Sequence, residues 1–174
     1  MPDTPPPDPE RLDPEQLAAY FALMEVSSLL QHAVDQQLRD EGGLSYTQFQ
    51  ILAVLGQAPE GQLRMTDIAD RLVHSRSGLT YQVAQLAKAG LVTRAPSADD
   101  ERSVNVTATP QGQELLGRVM PGHVAVVRRL LVTPLNRSDI TALSDVLGRV
   151  RTHMRTTPPR SATPGRKPTT LHND

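Results

Sequence analysis

The sequence has no cysteine and no tryptophan, and only two phenylalanines and three tyrosines among its 174 residues. A chain without cysteine forms no disulfide bond and cannot sense oxidants through a thiol. The lack of cysteine also fits a reducing compartment. Because aromatic residues make up only 3% of a chain that is 38% hydrophobic, we expect an aliphatic core.

Segments that would direct the chain to a membrane are also scarce. We find no apolar run that approaches the roughly 20 residues needed to span a bilayer. The N-terminal residues are acidic and rich in proline, unlike a basic signal peptide. We therefore expect a cytoplasmic protein with no membrane partner.

The sequence offers no pattern typical of a catalytic or metal site. Its five histidines are scattered without metal-ligand spacing, and it has no nucleophile-elbow, phosphate-loop or dinucleotide-binding motif. His74 precedes Ser75, but adjacency in sequence does not place a base beside a nucleophile in space. We expect neither an enzyme nor a bound metal or cofactor.

The centre of the chain does contain a pair of short predicted helices. Thr66 is placed to cap a first helix, behind which apolar residues recur at helical spacing. Ser75 is placed to cap a second helix that ends at Gly90, so a turn of about three residues separates them, as in a helix-turn-helix. The apolar stripes are Ile68, Ala69, Leu72 and Val73 in the first helix, and Leu79, Val83 and Leu86 in the second.

The second helix lies in a segment free of acidic residues. There is no Asp or Glu from His74 to Arg94, in a chain of net charge -1. A surface that faces phosphates requires such a gap, although an ordinary solvated helix can also lack carboxylates. Opposite the apolar stripe lie Ser77, Tyr81, Gln85 and Lys88, with Arg76 and Thr80 at the N-terminal end.

A hairpin with a long polar tip follows this helix directly. Residues 91–93 and 104–107 are predicted strands, and residues 94–103 between them are rich in turn formers. Arg102 is surrounded by three acidic residues, so the tip is not net positive. Either Asp100 holds Arg102 for insertion into a narrow minor groove, or the two form a surface ion pair that only stiffens the turn.

These segments together resemble the MarR family of bacterial transcriptional regulators. The resemblance implies a winged helix-turn-helix in which the helix opening at Ser75 enters the major groove and Arg102 reaches the minor groove. It also implies a homodimer built from the N- and C-terminal helices. The matching residues are Thr66-Asp67-Ile68-Ala69, Leu72, Ser75-Arg76-Ser77-Gly78-Leu79-Thr80, Leu86, Lys88, Gly90-Leu91-Val92, Asp100-x-Arg102 and Thr109-Pro110-x-Gly112.

The resemblance further implies a small-molecule pocket between the dimerisation and DNA-binding parts. His32, Tyr46 and His123 fall on or near the helices that line the ligand site in this family. Each is either a ligand contact or a hydrogen-bonded packing residue. Regulators of this kind often respond to phenolic or aromatic compounds, so such a molecule is the expected effector if the protein has one.

The chain departs from the family pattern on its DNA-binding face. Many members carry further arginine or lysine at positions occupied here by Tyr81, Gln85, Ala89 and Ala95. We therefore expect weaker phosphate contacts, with base reading moved onto Tyr81 and backbone amides.

Two helices are predicted before this centre. Pro14 is suited to a helix start, and a helical stripe continues to about Arg39. Thr47 is placed to cap a shorter helix that ends at Gly56.

Two more helices are predicted after the hairpin. Thr109 as cap and Pro110 in the first helical position open a long helix to about residue 132, which Pro121 is expected to bend. Asn136 is placed to cap the last helix, with Asp139 three residues on.

The chain is therefore predicted to be one mainly helical domain with a small β-hairpin, between two polar arms. The winged-helix domain covers residues 14–155. Its DNA-binding lobe covers about 47–108, and its dimerisation helices about 14–40 and 110–154. The acidic arm 1–13 and the basic arm 156–174 are rich in proline and are predicted to be disordered. The basic arm either adds phosphate attraction or is a solvated extension.

The apolar helices outside the lobe predict self-association. Leu17, Phe21, Leu130, Leu131, Leu143 and Leu147 would form a large exposed patch in a monomer, unless these helices pack within one chain. The hypothesis is a ligand-responsive repressor that binds a pseudo-palindromic DNA site as a homodimer. The alternative is a winged-helix module that binds protein and not DNA. The predicted DNA contacts are Ser75, Arg76, Ser77, Thr80, Tyr81, Gln85, Lys88, Arg94 and Arg102, with Asp100 stabilising the wing.

Overall fold

The computed structural model describes residues 11–72, 75–97 and 103–156. Within these ranges the chain forms six α-helices and one three-stranded antiparallel sheet, which confirms the predicted fold class. The helices are α1 (Pro14–Gly42), α2 (Tyr46–Gly56), α3 (Met65–Leu72), α4 (Arg76–Lys88), α5 (Pro110–Val127) and α6 (Arg137–Thr156). The strands are β1 (Gln62–Arg64), β2 (Val92–Pro96) and β3 (Val104–Ala108).

Three of the predicted helix caps are confirmed. The Ser75 hydroxyl accepts a hydrogen bond from the Gly78 amide at 3.3 Å at the start of α4. Thr109 caps α5 with Pro110 behind it. At α6, the Asn136 side chain accepts from the Asp139 amide while the Asp139 carboxylate accepts from the Asn136 amide, both at 3.0 Å. Each of these signals lies within three residues of sequence, where side-chain chemistry decides the start of a helix.

Two predicted caps are wrong. Ser45 caps α2 in place of Thr47, because Gln48 stands three residues after Ser45 and completes a capping box. Thr66 lies inside α3, because β1 runs directly into a helix that begins at Met65.

The sheet contains a strand that the sequence did not predict. β3 is its central strand, with β1 and β2 on either side. Leu63 of β1 and Arg94 of β2 both stand opposite Val106 in the register. The Ser97 amide donates to the Ser103 carbonyl at 2.8 Å, which closes the base of the hairpin. Its tip, with Asp100 and Arg102, lies outside the described residues.

The buried core is aliphatic, as predicted. Leucine, isoleucine and valine fill it, and Phe49 is the one aromatic side chain buried among the described residues. The largest fully buried side chains are Leu38, Ile51, Leu52, Leu55, Ile68, Leu79, Val83, Leu86, Val106 and Val119. They come from α1 to α5 and the sheet, so one core holds the predicted helix-turn-helix and the hairpin together.

The chain divides into two compact units, residues 1–131 and 132–174. In the first unit, α5 packs against α1 and α2 and is described as one helix across Pro121. The predicted bend at Pro121 stays a prediction. In the second unit, α6 has no buried residue along its described length.

By length and composition alone, α1 could cross a membrane, so the expectation that no segment meets this test was wrong. Core helices of soluble proteins pass the same test. Only 6% of the apolar window of α1 that meets the test is buried, although Val34 and Leu38 in the C-terminal half of the helix belong to the core. The arms predicted to be disordered lie mostly outside the described residues, which begin at Arg11 and end at Thr156.

Candidate nucleic-acid interface

Helix α4 is held in the lobe by one apolar face. Leu79, Val83 and Leu86 recur at helical spacing, and each is at most 1% exposed. Because these three side chains fix the rotation of the helix, the opposite face of α4 lies at the surface. The N-terminal end of that face follows the cap Ser75.

Most of the predicted contact residues lie on this surface. Tyr81 is 62% exposed, and Ser77, Thr80 and Lys88 are exposed as well. Gln85 is half-buried. Arg76 is the first residue of α4, whereas Arg102 and Asp100 lie outside the described residues.

The electrostatic setting of α4 favours an anion. The helix carries no acidic residue in its first turn, and Lys88 lies in its last turn. The first amides of a helix point outward with a partial positive charge, which attracts phosphate. In α4, exposed hydroxyl side chains surround this end, so a phosphate group there would meet donors and no carboxylate from the helix itself.

A cleft of about 210 Å³ lies beside the N-terminal part of α4. Arg64, Thr80, Arg94 and Ser103 contribute polar groups to its lining. Thr80 and Arg94 are among the contacts predicted from the sequence, whereas Arg64 is not, because β1 has no signal in the sequence pattern. The sheet thus brings a cation that precedes the helix-turn-helix in sequence to the same cleft as a cation of the hairpin.

Comparison with known proteins identifies this arrangement. A MarR family model matches residues 42–103. The transcriptional regulator PecS of Dickeya dadantii (strain 3937) is 34% identical over 145 residues, which cover 82% of this chain and 86% of PecS. The chain belongs to the MarR family.

Solved structures agree with this assignment. Sco3205, a MarR family regulator from Streptomyces coelicolor solved in complex with DNA, has a TM-score of 0.81 and 30% identity. The match covers 89% of this chain and 95% of Sco3205. AbsC from the same organism has a TM-score of 0.78 and 31% identity, over 84% of this chain and 98% of AbsC. The protein is therefore a DNA-binding transcriptional regulator with a winged helix-turn-helix, and its relatives are regulators and not enzymes.

The three candidate effector residues of this MarR family member have different surroundings in the structure. His123 lies on α5 with its ring centroid 4.6 Å from that of Phe49 on α2. Its Nδ1 is buried and has no hydrogen-bond partner among the described residues, and burial lowers the pKa of the ring. Tyr46 packs against the core, and its amide donates to the Asp35 carboxylate at 3.0 Å. His32 is exposed on α1.

Proposed function

We propose that this regulator represses transcription by binding a pseudo-palindromic operator as a homodimer, and that a small aromatic or phenolic effector changes its operator affinity. The observation that carries the DNA-binding part is the exposed face of α4, which presents hydroxyl, amide and ammonium groups and no carboxylate. Sco3205 supports the same reading, because it is 30% identical and was solved with DNA. Such a protein acts where the chromosome is, in the cytoplasm.

The homodimer is supported by apolar surface outside the lobe. Residues 14–29 of α1 are all exposed, and they include Phe21 at 62% and Leu29 at 63%. On α6, Leu143 and Leu147 are exposed at 36% and 39%. Single exposed leucines are ordinary, but contiguous apolar faces mark interaction surfaces. A second copy of the chain is the simplest partner that would bury these apolar faces. The twofold symmetry of such a dimer then requires two related half-sites in the DNA.

The alternative of a protein-binding winged helix would need an apolar recognition face. On the described part of α4, Tyr81 is the one large hydrophobic residue that is exposed. Its hydroxyl can also bind a base edge, so this face favours DNA over an apolar protein partner.

The test of operator binding is protection of the DNA that flanks the protein's own gene. We expect two protected half-sites whose centres are one helical turn apart, about 34 Å, or a multiple of it. The affinity for this site is to be compared with that for an unrelated duplex of equal length at the same salt concentration. Equal affinity for both duplexes would contradict sequence-specific regulation.

The effector is tested with a phenol of simple structure, 4-hydroxybenzoate. The Nδ1 of His123 has no hydrogen-bond partner among the described residues and lies beside Phe49, so the site offers a polar atom and an aromatic ring to such a molecule. We expect the phenol to raise the Tm and to change operator affinity by roughly 5- to 150-fold. His123→Ala should remove both effects, whereas His153→Ala, an exposed change on α6, should keep them. No change with any aromatic acid or phenol tested would leave a regulator without this class of effector.

A further inference from the structure

The chain that leaves the recognition helix α4 is hydrogen-bonded to the start of α5. The Thr109 hydroxyl donates to the Gly90 carbonyl at 2.7 Å and accepts from the Gly112 amide at 3.1 Å. The Thr109 amide donates to the Leu91 carbonyl at 3.1 Å. We call these four residues, Gly90, Leu91, Thr109 and Gly112, the α4–α5 joint. One threonine therefore caps α5 and holds the chain that leaves α4.

The two backbones approach so closely that only glycine fits at Gly112. A Cβ atom built there would clash with the Leu91 carbonyl oxygen and lie 3.1 Å from its carbonyl carbon. These are backbone atoms, which cannot turn aside as the end of a side chain could. Any side chain at this position must push the end of α4 and the start of α5 apart.

The joint is also rigid on the side of α4. The Leu91 amide donates to the Leu86 carbonyl at 2.9 Å, and Gly90 makes the turn between them with φ +74°. Leu86 and Leu91 are 1% and 7% exposed, so both are packed in the core. Because of this packing, a displacement of Leu91 must move the C-terminal end of α4 with it.

On its other side, the joint continues into a helix that packs against α1. The Gln37 side chain on α1 donates to the Val119 carbonyl of α5 at 3.1 Å, and Val119 is fully buried. The joint and Val119 lie on the same helix. Helix α5 therefore connects its contact with α1 to the joint, and through the joint to the end of α4.

We propose that Thr109 and Gly112 are positioning residues that set the placement of α4 for operator binding. Neither is among the predicted DNA contacts, and they act through Gly90 and Leu91. This inference rests on the proposed function as an operator-binding regulator. It adds that the angle of the recognition helix is controlled from the first turn of α5.

The test compares Thr109→Val with Thr109→Ser. Valine has nearly the shape of threonine but lacks the hydroxyl, whereas serine keeps it. At a temperature where every variant is fully folded, we expect Thr109→Val to weaken operator binding about tenfold. Its affinity for an unrelated duplex should change by less than about twofold, because the phosphate contacts remain. Thr109→Ser should restore operator affinity to near the wild-type value.

A matched control separates positioning from loss of stability. Ser45→Ala also removes a hydroxyl that caps a helix, at the start of α2, where that hydroxyl accepts from the Gln48 amide. It should lower the Tm by an amount similar to Thr109→Val but leave operator affinity unchanged. A second pair lies on α5 itself. Gly112→Ala should lose operator preference, whereas Gly117→Ala, where a Cβ meets no atom of the described residues within 4 Å, should not.

The possible results are distinguishable. Wild-type operator affinity in Thr109→Val, or an equal loss in Ser45→Ala, would overturn the role of the joint while operator binding stands. Failure of Thr109→Ser to recover affinity would do the same. If Gly112→Ala does not fold, the threonine series decides alone. A wild-type protein without preference for its operator would overturn the proposed function itself, and this inference with it.

Discussion

The apolar residues of the DNA-binding lobe are buried, whereas those of α6 and of residues 14–29 of α1 are exposed. In the lobe, the apolar stripes of α2, α3 and α4 and the centre of the sheet are buried in one core. Along residues 14–29 of α1 and along α6, the apolar residues are exposed. Both regions have helical periodicity, but only the lobe, together with the parts of α1 and α5 that pack on it, buries its apolar residues within a single chain.

This difference separates the part of the protein that is buried on its own from the part that the proposed homodimer would bury. Burial of apolar surface contributes roughly 25 cal/mol per Å², so the lobe can be stable on the contacts described here. Residues 14–29 of α1 and helix α6 obtain little of this energy, because neither segment contains a buried residue. A change in the apolar face of α6 should therefore alter assembly, whereas a change on the outer face of α4 should alter DNA binding alone.

The largest expected effect comes from placing charge on the apolar face of α6. Leu143→Asp with Leu147→Asp would bury two unpaired carboxylates in the proposed dimer interface, at a cost of at least about 3 kcal/mol. We expect monomers or aggregates by light scattering at concentrations where the wild type is dimeric. Thr141→Asp with Thr152→Asp adds the same charge to the opposite face of α6 and should leave the dimer intact. A dimer that survives the leucine changes would exclude α6 from the interface.

The second effect concerns the wing, the hairpin that joins β2 to β3. If Arg102 enters a minor groove, Arg102→Ala should weaken operator binding by about 1–3 kcal/mol and reduce the slope of log affinity against log salt by about one. Asp100→Ala should give part of this loss, because the arginine would keep its charge but lose its support. Unchanged affinity in a folded Arg102→Ala protein would favour the surface ion pair instead.

A smaller effect should separate base reading from backbone contact on α4. Tyr81 is largely exposed at the centre of the helix, where a side chain can reach base edges, whereas Lys88 is its last residue. Tyr81→Ala should relax preference at one base pair of each half-site by about 1 kcal/mol. Lys88→Ala should weaken all sequences alike. Selection of bound sequences from a randomised pool distinguishes the two, and uniform loss in Tyr81→Ala would make Tyr81 a backbone contact.

The parts of this fold that the sequence predicted depend on signals a few residues apart. Ser75, Thr109 and Asn136 were predicted as caps because each acts on an amide three residues later. The exposed face of α4 followed from helical periodicity alone. Thr66 and Thr47 were wrong because a neighbouring element or a better capping pair competed with them.

The missing strand depends on distant pairing. β1 has three residues, too few for an alternating pattern, and it forms against β3 by pairs such as Gln62 with Thr107. Arg64 was missed for the same reason. The family resemblance placed His32 and His123 near a pocket, but it could not tell which side of each helix faces inward. The structure puts His32 at the surface and His123 against Phe49.

The smallest expected effect is a pH dependence of stability that comes from His123, where α5 packs against α2. Burial lowers the pKa of this ring from its ordinary value of 6.5, and no partner of Nδ1 among the described residues compensates. Below pH 6.5 the unfolded chain therefore binds a proton that the folded chain resists. The free energy of unfolding should be fully retained above that pH and fall as pH drops from 6.5 toward the lowered pKa. The decrease should be small, because the ring is only half-buried and water still reaches part of it.

Urea unfolding between pH 7.5 and 5.5 at fixed ionic strength measures the slope of the free energy of unfolding against pH. His123→Phe keeps a ring beside Phe49 but cannot be protonated, so its slope should be shallower than that of the wild type. Equal slopes in the two proteins would mean that the folded state binds the proton as readily as the unfolded state does. His123 would then not contribute to the pH dependence of stability.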